Sequence, residues 1–309
     1  MAYASKIIAD SISPMGHRIT SYETTMPRIV LAEFNTHRVF SRNSASSRAI
    51  PIGKMLARCA EDPFIPEKWP KNGKGMQADG FLEGQAEELA RAFWLDGRDR
   101  VMDIVGLMEK HGVHKQITNR LLEPFLWHTI IVTSTEWANA FNLRRDKHAQ
   151  PEIQKPFRTM FEQYQSSQPV DVDYGQWHLP LVRGNDHGAL LEEKYSTLDI
   201  AKISCGRCGR VSYLTHENVR DPKADLAIVD AKFVANGHMS PLEHAARPMY
   251  TSEYELFTQA PSRVANIDGE PRLIPNVNGT PRHFCGNVEG WIQYRKLIPG
   301  EDVFEHTQL

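Results

Sequence analysis

Thr36-His37-Arg38-Val39-Phe40-Ser41-Arg42-Asn43-Ser44-Ala45-Ser46-Ser47-Arg48 gathers guanidinium groups, an imidazole and small hydroxyl donors into a short span with almost no inert filler. That is the composition of an anion site. Guanidinium groups give charge-assisted, often bidentate bonds to phosphate, and Ser and Asn orient what the charge has captured. A solvated basic loop is the plain alternative. The preceding residues, Met26 to Phe34, read as an apolar element feeding directly into this stretch, which puts the cations at an element's end, where sites usually sit.

Composition limits what such a site can serve. The chain has 309 residues, and a hydrophobic content of 41% is ample for a buried core. Lys and Arg total 36 against 38 Asp and Glu, so no global charge favours a nucleic-acid coat or an acidic membrane. Basic character is local. No apolar run is long enough to span a bilayer, and the amino terminus lacks the layout of a secretory signal, so the expectation is a cytoplasmic protein. Four scattered cysteines do not make a disulfide framework, and Cys205-Gly206-Arg207-Cys208 is only half of a zinc pattern, so no metal is assigned.

Residues 83 to 110 carry apolar side chains at Ala86, Leu89, Ala92, Phe93, Val101, Ile104, Val105 and Met108, which predicts one or two long helices, interrupted near Asp96-Gly97, with these residues in the core. Phe125 to Thr133 is β-branched and aromatic and reads as a buried strand, followed by a helix from Glu136 capped by Ser134 or Thr135. Residues 165–195 read as a surface connector dividing the chain into two blocks. Beyond it, Leu226, Ile228, Val229, Phe233 and Val234 predict a helix closed by Asn236-Gly237. Residues 260 to 287 have turn-forming composition, including Asn278-Gly279-Thr280-Pro281.

Two further clusters carry polar chemistry. One runs from Trp137 to Gln154, where helical spacing stacks Asn139 with Leu143 and Arg144 with His148; a solvated charged helix is its plain alternative. The other is Gly237-His238-Met239-Ser240-Pro241-Leu242-Glu243-His244, whose Pro241 disfavours a shared metal-binding helix. No nucleophile elbow, Walker loop or dinucleotide fingerprint is present, which counts against hydrolase, NTPase and Rossmann dehydrogenase readings.

Together these clusters resemble the flavin-dependent thymidylate synthases. The family signature is Arg-His-Arg, seven residues, then Ser; this chain has Thr36-His37-Arg38, seven residues, then Ser46, and Arg48 at the family's interval. Asn142-Leu143-Arg144 with His148-Ala149-Gln150-Pro151-Glu152-Ile153 is similar to the family's Asn-Leu-Arg helix and His-Ala-Gln-x-Glu-Ile. Gly237 to His244 resembles Gly-His-x-x-Pro-x-Glu-His, Arg210-Val211-Ser212-Tyr213 resembles Arg-Val-Ser-Phe, and Arg120 with Pro124 resembles Arg-x-x-x-Pro. The last motifs precede the first in the usual enzymes and follow it here, so the chain looks circularly permuted, a rewiring that a fold tolerates when its termini lie close together.

The resemblance implies an α+β fold, a twisted, mainly antiparallel sheet flanked by helices, forming one catalytic domain over residues 1–309, with 50–110 as a helical insertion and 165–195 as the connector. It implies FAD as cofactor, bordered by His37, Arg38, Asn139, Leu143, His148, Ser212, His238 and Ser240. A deoxypyrimidine monophosphate would be held by Glu33, Ser44, Ser46, Ser47, Arg48, Arg120 and Arg144, with Arg144, His238 and Arg48 in catalytic roles. The implied reaction carries a one-carbon unit from methylenetetrahydrofolate to the base C5, using NADPH as reductant, in a homotetramer with shared sites and no membrane or direct nucleic-acid partner. dUMP is the first expected acceptor.

Three positions depart from the pattern: Thr36 replaces the motif's first Arg, Ser44 its Glu, and Glu33 a Gln. Loss of one guanidinium weakens anion binding unless Arg42, Arg28 or a neighbouring subunit compensates. A carboxylate at Glu33 would accept from a cytosine N4 amino group, so dCMP, with a methyl or hydroxymethyl product, is the second expectation. A non-catalytic flavin- or nucleotide-binding module is the alternative of another class.

Overall fold

In the first 27 residues, β1 (Ala4–Ile12) and β2 (Arg18–Pro27) pair antiparallel around a turn in which the Gly16 amide donates to the Ser13 carbonyl. Gly16 has φ +85°, where a side chain would be strained. β2 then ends in a short 3₁₀ turn and α1 (Leu31–Asn35), so the apolar run Met26–Phe34 divides between a strand end and a helix. The computed structural model describes residues 2–75, 78–213, 221–258, 262–267, 270–275, 287–299 and 301.

β3 (Ser41–Ser44) is followed by three helices, α2 (Ile52–Glu61), α3 (Gln85–Lys110) and α4 (Lys115–Leu122). Next come β4 (Trp127–Ser134), α5 (Ala138–Arg145), α6 (Pro151–Ser166) and the two-residue β5 (Val170–Asp171). The strands form one sheet in the order β3-β4-β2-β1-β5, antiparallel throughout except where Ser11 and Ile12 of β1 run parallel to β5. The expected α+β architecture is therefore present. β2 and β4 are buried on both faces, which is why their sequences are apolar or Thr-rich rather than strictly alternating.

α6 covers one side of the sheet. Ile153, Phe157 and Met160 recur at helical spacing and meet Tyr22, Phe34, Ile130 and Phe141, while the Tyr22 hydroxyl donates to the Met160 carbonyl at 2.8 Å. The remaining elements are α7 (Gly184–Glu192), α8 (Thr197–Tyr213), α9 (Pro222–Ile228), β6 (Ala246–Pro248), α10 (Thr251–Thr258), the hairpin β7 (Ser262–Ile267) and β8 (Glu270–Pro275), and β9 (Trp291–Gln293), which pairs with β6. After α9 one π-helical turn, Val229–Val234, leads to Gly237 at φ +66°, close to the ending expected from Asn236-Gly237. Asn278-Gly279-Thr280-Pro281 lies outside the described residues.

Two sequence expectations change. α3 runs unbroken through Asp96-Gly97, and its apolar residues fall on two opposed faces: Trp94, Val101 and Val105 pack on the core with Met55, Leu122 and Phe125, whereas Leu89, Phe93 and Ile104 face solvent. Period alone cannot say which apolar face meets the core. Residues 165–195 are also not a simple surface excursion. His178 is fully buried, its Nδ1 2.9 Å from Ser11 Oγ and its Nε2 2.8 Å from Ser21 Oγ; Ser21 bonds Thr133, whose Oγ1 is 2.9 Å from His244 Nδ1. This polar chain ties the 165–195 segment, three strands of the sheet and the Gly237–His244 stretch into one core.

α8 crosses α9 with no room for side chains at its glycines. A Cβ on Gly206 would strike the backbone carbonyl of Asp225, and one on Gly209 the ring of Phe233. Asp225 cannot retreat, because it is fully buried and accepts from Arg207 and Arg210. Gly206→Ala is expected to destabilise the fold by about 3 kcal/mol in chemical denaturation, since overpacking against backbone is not relieved by a rotamer change. Unaltered stability would contradict this packing.

Candidate active site

Three groups of expected site residues lie along β3. The first forms where α1 and α5 meet. Arg144, on the last turn of α5, donates from Nε to His37 Nε2 (2.9 Å) and from Nη2 to Thr36 Oγ1 (2.9 Å) and to the Glu33 carbonyl (2.9 Å). Its Nη1 has no partner among the described residues. Thr36, His37, Arg38, Glu136 and Asn139 line an adjoining cleft of about 310 Å³. Arg38 and Asn139 are exposed, and no described hydrogen bond or ion pair holds Arg38.

Guanidinium nitrogens only donate, so His37 Nε2 must accept and the ring is neutral. Burial, together with the charges of Arg144 and Arg42, lowers the His37 pKa to about 4. Asp146 and His148 bond each other beyond the helix end, so the expected Arg144–His148 pair does not form. Leu143 is 54% exposed beside this group.

The second group surrounds the Gly237–His244 stretch. Pro241 starts a 3₁₀ turn, Ser240–Glu243, and His238 and Ser240 line a cleft of about 630 Å³ with Glu243 and Arg295. It joins the first group through β3. Asn43 donates to the Cys208 carbonyl of α8 at 2.7 Å, and its Oδ1 lies 3.5 Å from Ser240 Oγ. Arg42, half-buried on the same strand, donates to Asn35 and feels the charge of Glu243. Ser212 lies in the last turn of α8.

The third group is centred on Glu123, which sequence reading did not single out. Its Oε1 accepts from Ser47 Oγ (2.6 Å), Arg120 Nη1 (2.9 Å) and Arg28 Nη2 (3.0 Å). The available signal was its place three residues after Arg120 on a helix end. Arg48 is exposed nearby in sequence, with no described partner, and Ser44 and Ser46 are half-buried. The structure thus brings Glu33, His37, Arg38, Asn139 and Arg144 together, sets His238 and Ser240 in a second cleft across β3, and gathers Ser47 and Arg120 around Glu123.

Arg38 and Asn139 in the first cleft, and His238 and Ser240 in the second, are donors of the kind that a phosphate-bearing cofactor engages. Among the described residues no group of His, Cys, Asp and Glu is placed to hold a metal ion, and no helix is long and apolar enough to cross a membrane. Cys205 and Cys208 are buried, which raises both thiol pKa values.

His128, His178 and His244 are likewise lowered to about 3 by burial. With His37 they fold as neutral rings and unfold to groups that bind a proton near 6.5. Their contribution to stability is complete above about pH 6.5 and is lost as the pH falls toward 3 to 4. Unfolding free energy measured in urea is expected to drop progressively between pH 6.5 and 4; a flat profile there would mean that these rings are protonated in the native state.

The sequence model of the family described as thymidylate synthase complementing protein matches residues 6–170, which contain the first and third groups and exclude the Gly237–His244 stretch. Among solved structures, the UMP/dUMP methylase PolB from Streptomyces cacaoi bound with 5-Br UMP is similar at 14% identity and a TM-score of 0.43, over 53% of this chain and 88% of that one. No curated protein matches the sequence.

Proposed function

Because the chain belongs to the thymidylate synthase complementing protein family and is a methyltransferase-type enzyme, we propose that it methylates C5 of a deoxypyrimidine monophosphate, dUMP first, with methylenetetrahydrofolate as carbon donor. The observation that carries this reading is the anchoring of Arg144 on His37, Thr36 and Glu33, two of which, His37 and Thr36, line a cleft with Arg38 and Asn139.

Each residue has a task that its position supports. Arg144 is held by three bonds, so it meets a substrate without reorganising, and its fixed cation stabilises negative charge that develops on the pyrimidine as C5 becomes nucleophilic. His37 holds the guanidinium as a neutral acceptor and adds no competing charge. Ser46, Ser47, Arg48 and Arg120 would take the nucleotide phosphate. Ser44 ends β3, two residues before Ser46. Arg38, Asn139, Leu143 and His148 would border the flavin from one side, and Ser212, His238 and Ser240 from the other, with His238 also toward the folate. When bound, FAD supplies the hydride, drawn from NADPH, that reduces the transferred carbon to a methyl group.

The contact of α8 and Ser240 with β3 supports the circular permutation: motifs at the far end of the chain pack on the strand that follows His37 and Arg38. Shared sites in a homotetramer are proposed with the family reading, and Val39 and Leu143 are exposed apolar side chains that a neighbouring subunit would cover.

A second reading rests on Glu33. Its Oε2 is buried with no partner, and such an oxygen seeks an N–H donor. A cytosine N4 amino group would supply one, which favours dCMP as the alternative acceptor. The test is mass spectrometry of products from dUMP and dCMP with the folate donor, FAD and NADPH. A methylated dUMP is expected; a product from dCMP alone would transfer the assignment to cytosine, and a yellow protein without turnover would leave only a binding role. Arg144→Lys is expected to lower kcat/KM about a hundredfold, because an ammonium cannot span three acceptors and still reach substrate.

A further inference from the structure

Glu123 stands where an external anion would be expected. Two guanidinium groups and a hydroxyl converge on its Oε1, the donor set that a phosphate oxygen recruits. Next to two of these donors lies a small cavity of about 40 Å³ lined by Arg28, Ser47, Arg58 and His128, among others. Its volume accommodates a water or two.

The lining is richer in donors than Glu123 can use. Arg28 Nη1 is 2.8 Å from His128 Nδ1. Since a guanidinium cannot accept, Nδ1 is the acceptor, and the neutral ring carries its proton on Nε2. That N–H is buried without a partner, and so is the Nε–H of Arg28. His128 is only 4% exposed, so water from the surface does not satisfy it. Two cations, Arg28 and Arg120, thus hold one carboxylate, Arg58 lines the cavity beside Arg28, and two buried donors remain unused.

We propose that Glu123 is an internal occupant of the substrate-phosphate site, and that a phosphomonoester binds by displacing its carboxylate from Arg28, Arg120 and Ser47. The assignment of the external ligand as a nucleotide rests on the function proposed above; the exchange of carboxylate for phosphate does not. No bond is made or broken. The carboxylate turns outward, where its side chain is already 22% exposed, and a dianion takes the positive field it leaves. The device makes phosphate binding a competition. It screens against weak or singly charged anions, which cannot outbid a carboxylate already in place.

Calorimetric titration with inorganic phosphate, dUMP and deoxyuridine tests this in the full chain. Glu123→Gln keeps the acceptor and removes the charge, and is expected to bind phosphate and dUMP about tenfold more tightly than the native protein, with deoxyuridine unchanged. Phosphate should also raise the melting temperature of this variant more than that of the native protein, because it supplies the counter-ion that buried Arg28 has lost. Should Glu123→Gln not fold, Glu123→Asp, which draws the charge back by one methylene, is expected to bind phosphate about threefold more tightly. Equal or weaker phosphate binding by these variants would show that Glu123 builds the site instead of filling it, and would overturn the proposal even if dUMP is methylated. Tighter phosphate binding in a protein that never binds dUMP would uphold the exchange and sink the nucleotide reading.

Discussion

The four residues of β3 bear a constraint on which the rest depends: every polar group on the buried face of this strand must be satisfied by a segment distant in sequence. Ser41 Oγ, fully buried, accepts from Asn287 and Gln293, each at 2.7 Å, and Asn43 donates to the Cys208 carbonyl. A buried hydroxyl or amide that loses such partners costs on the order of 1 to 3 kcal/mol. The carboxyl-terminal segments are therefore held to the strand by directional bonds as well as by apolar contact. Because β3 follows His37 and Arg38 directly, the same bonds fix both clefts relative to one another.

Electrostatics divides the site by protonation and pairing. On the α1–α5 side a neutral imidazole anchors a guanidinium, so charge is exposed but immobile. Around Glu123 the guanidinium groups of Arg28 and Arg120 are already paired. Arg42 lies between, its pKa lowered by burial and raised again by Glu243. One short strand thus separates the anchored guanidinium of Arg144 from the guanidinium groups paired with Glu123.

Local features were legible in the sequence. The β-branched run before Ser134 became β4 within two residues of its expected start, and Asn236-Gly237 marked a true ending, because both depend on neighbours in the chain. The stretch Thr36 to Arg48 was legible as a polar, cation-bearing segment at an element's end, and in the fold its His37 and Thr36 meet Arg144. What could not be read were choices made by distant partners. Nothing local says that Glu123 would take Ser47 and Arg28, that His178 in a polar, Pro- and Gly-rich connector would be buried, or that Leu89 and Phe93 rather than Val101 and Val105 would be the outward face of α3. The Arg144–His148 pair failed for a local reason, since α5 ends at Arg145 and Asp146 takes the imidazole.

The buried chain from Ser11 through His178, Ser21 and Thr133 to His244 has a consequence in proton bookkeeping. Each link holds a single hydrogen, and each hydroxyl has one to give. If His178 is protonated on Nε2, the hydroxyls of Ser21 and Thr133 both turn toward His244, which then carries its hydrogen on Nε2. If His178 is protonated on Nδ1, both hydroxyls reverse and His244 is protonated on Nδ1; a mixed assignment leaves the Ser21–Thr133 link with either two hydrogens or none. Two imidazoles 66 residues apart in sequence therefore share one tautomeric choice, and whatever sets it at the connector sets it also beside the Ser240 cleft.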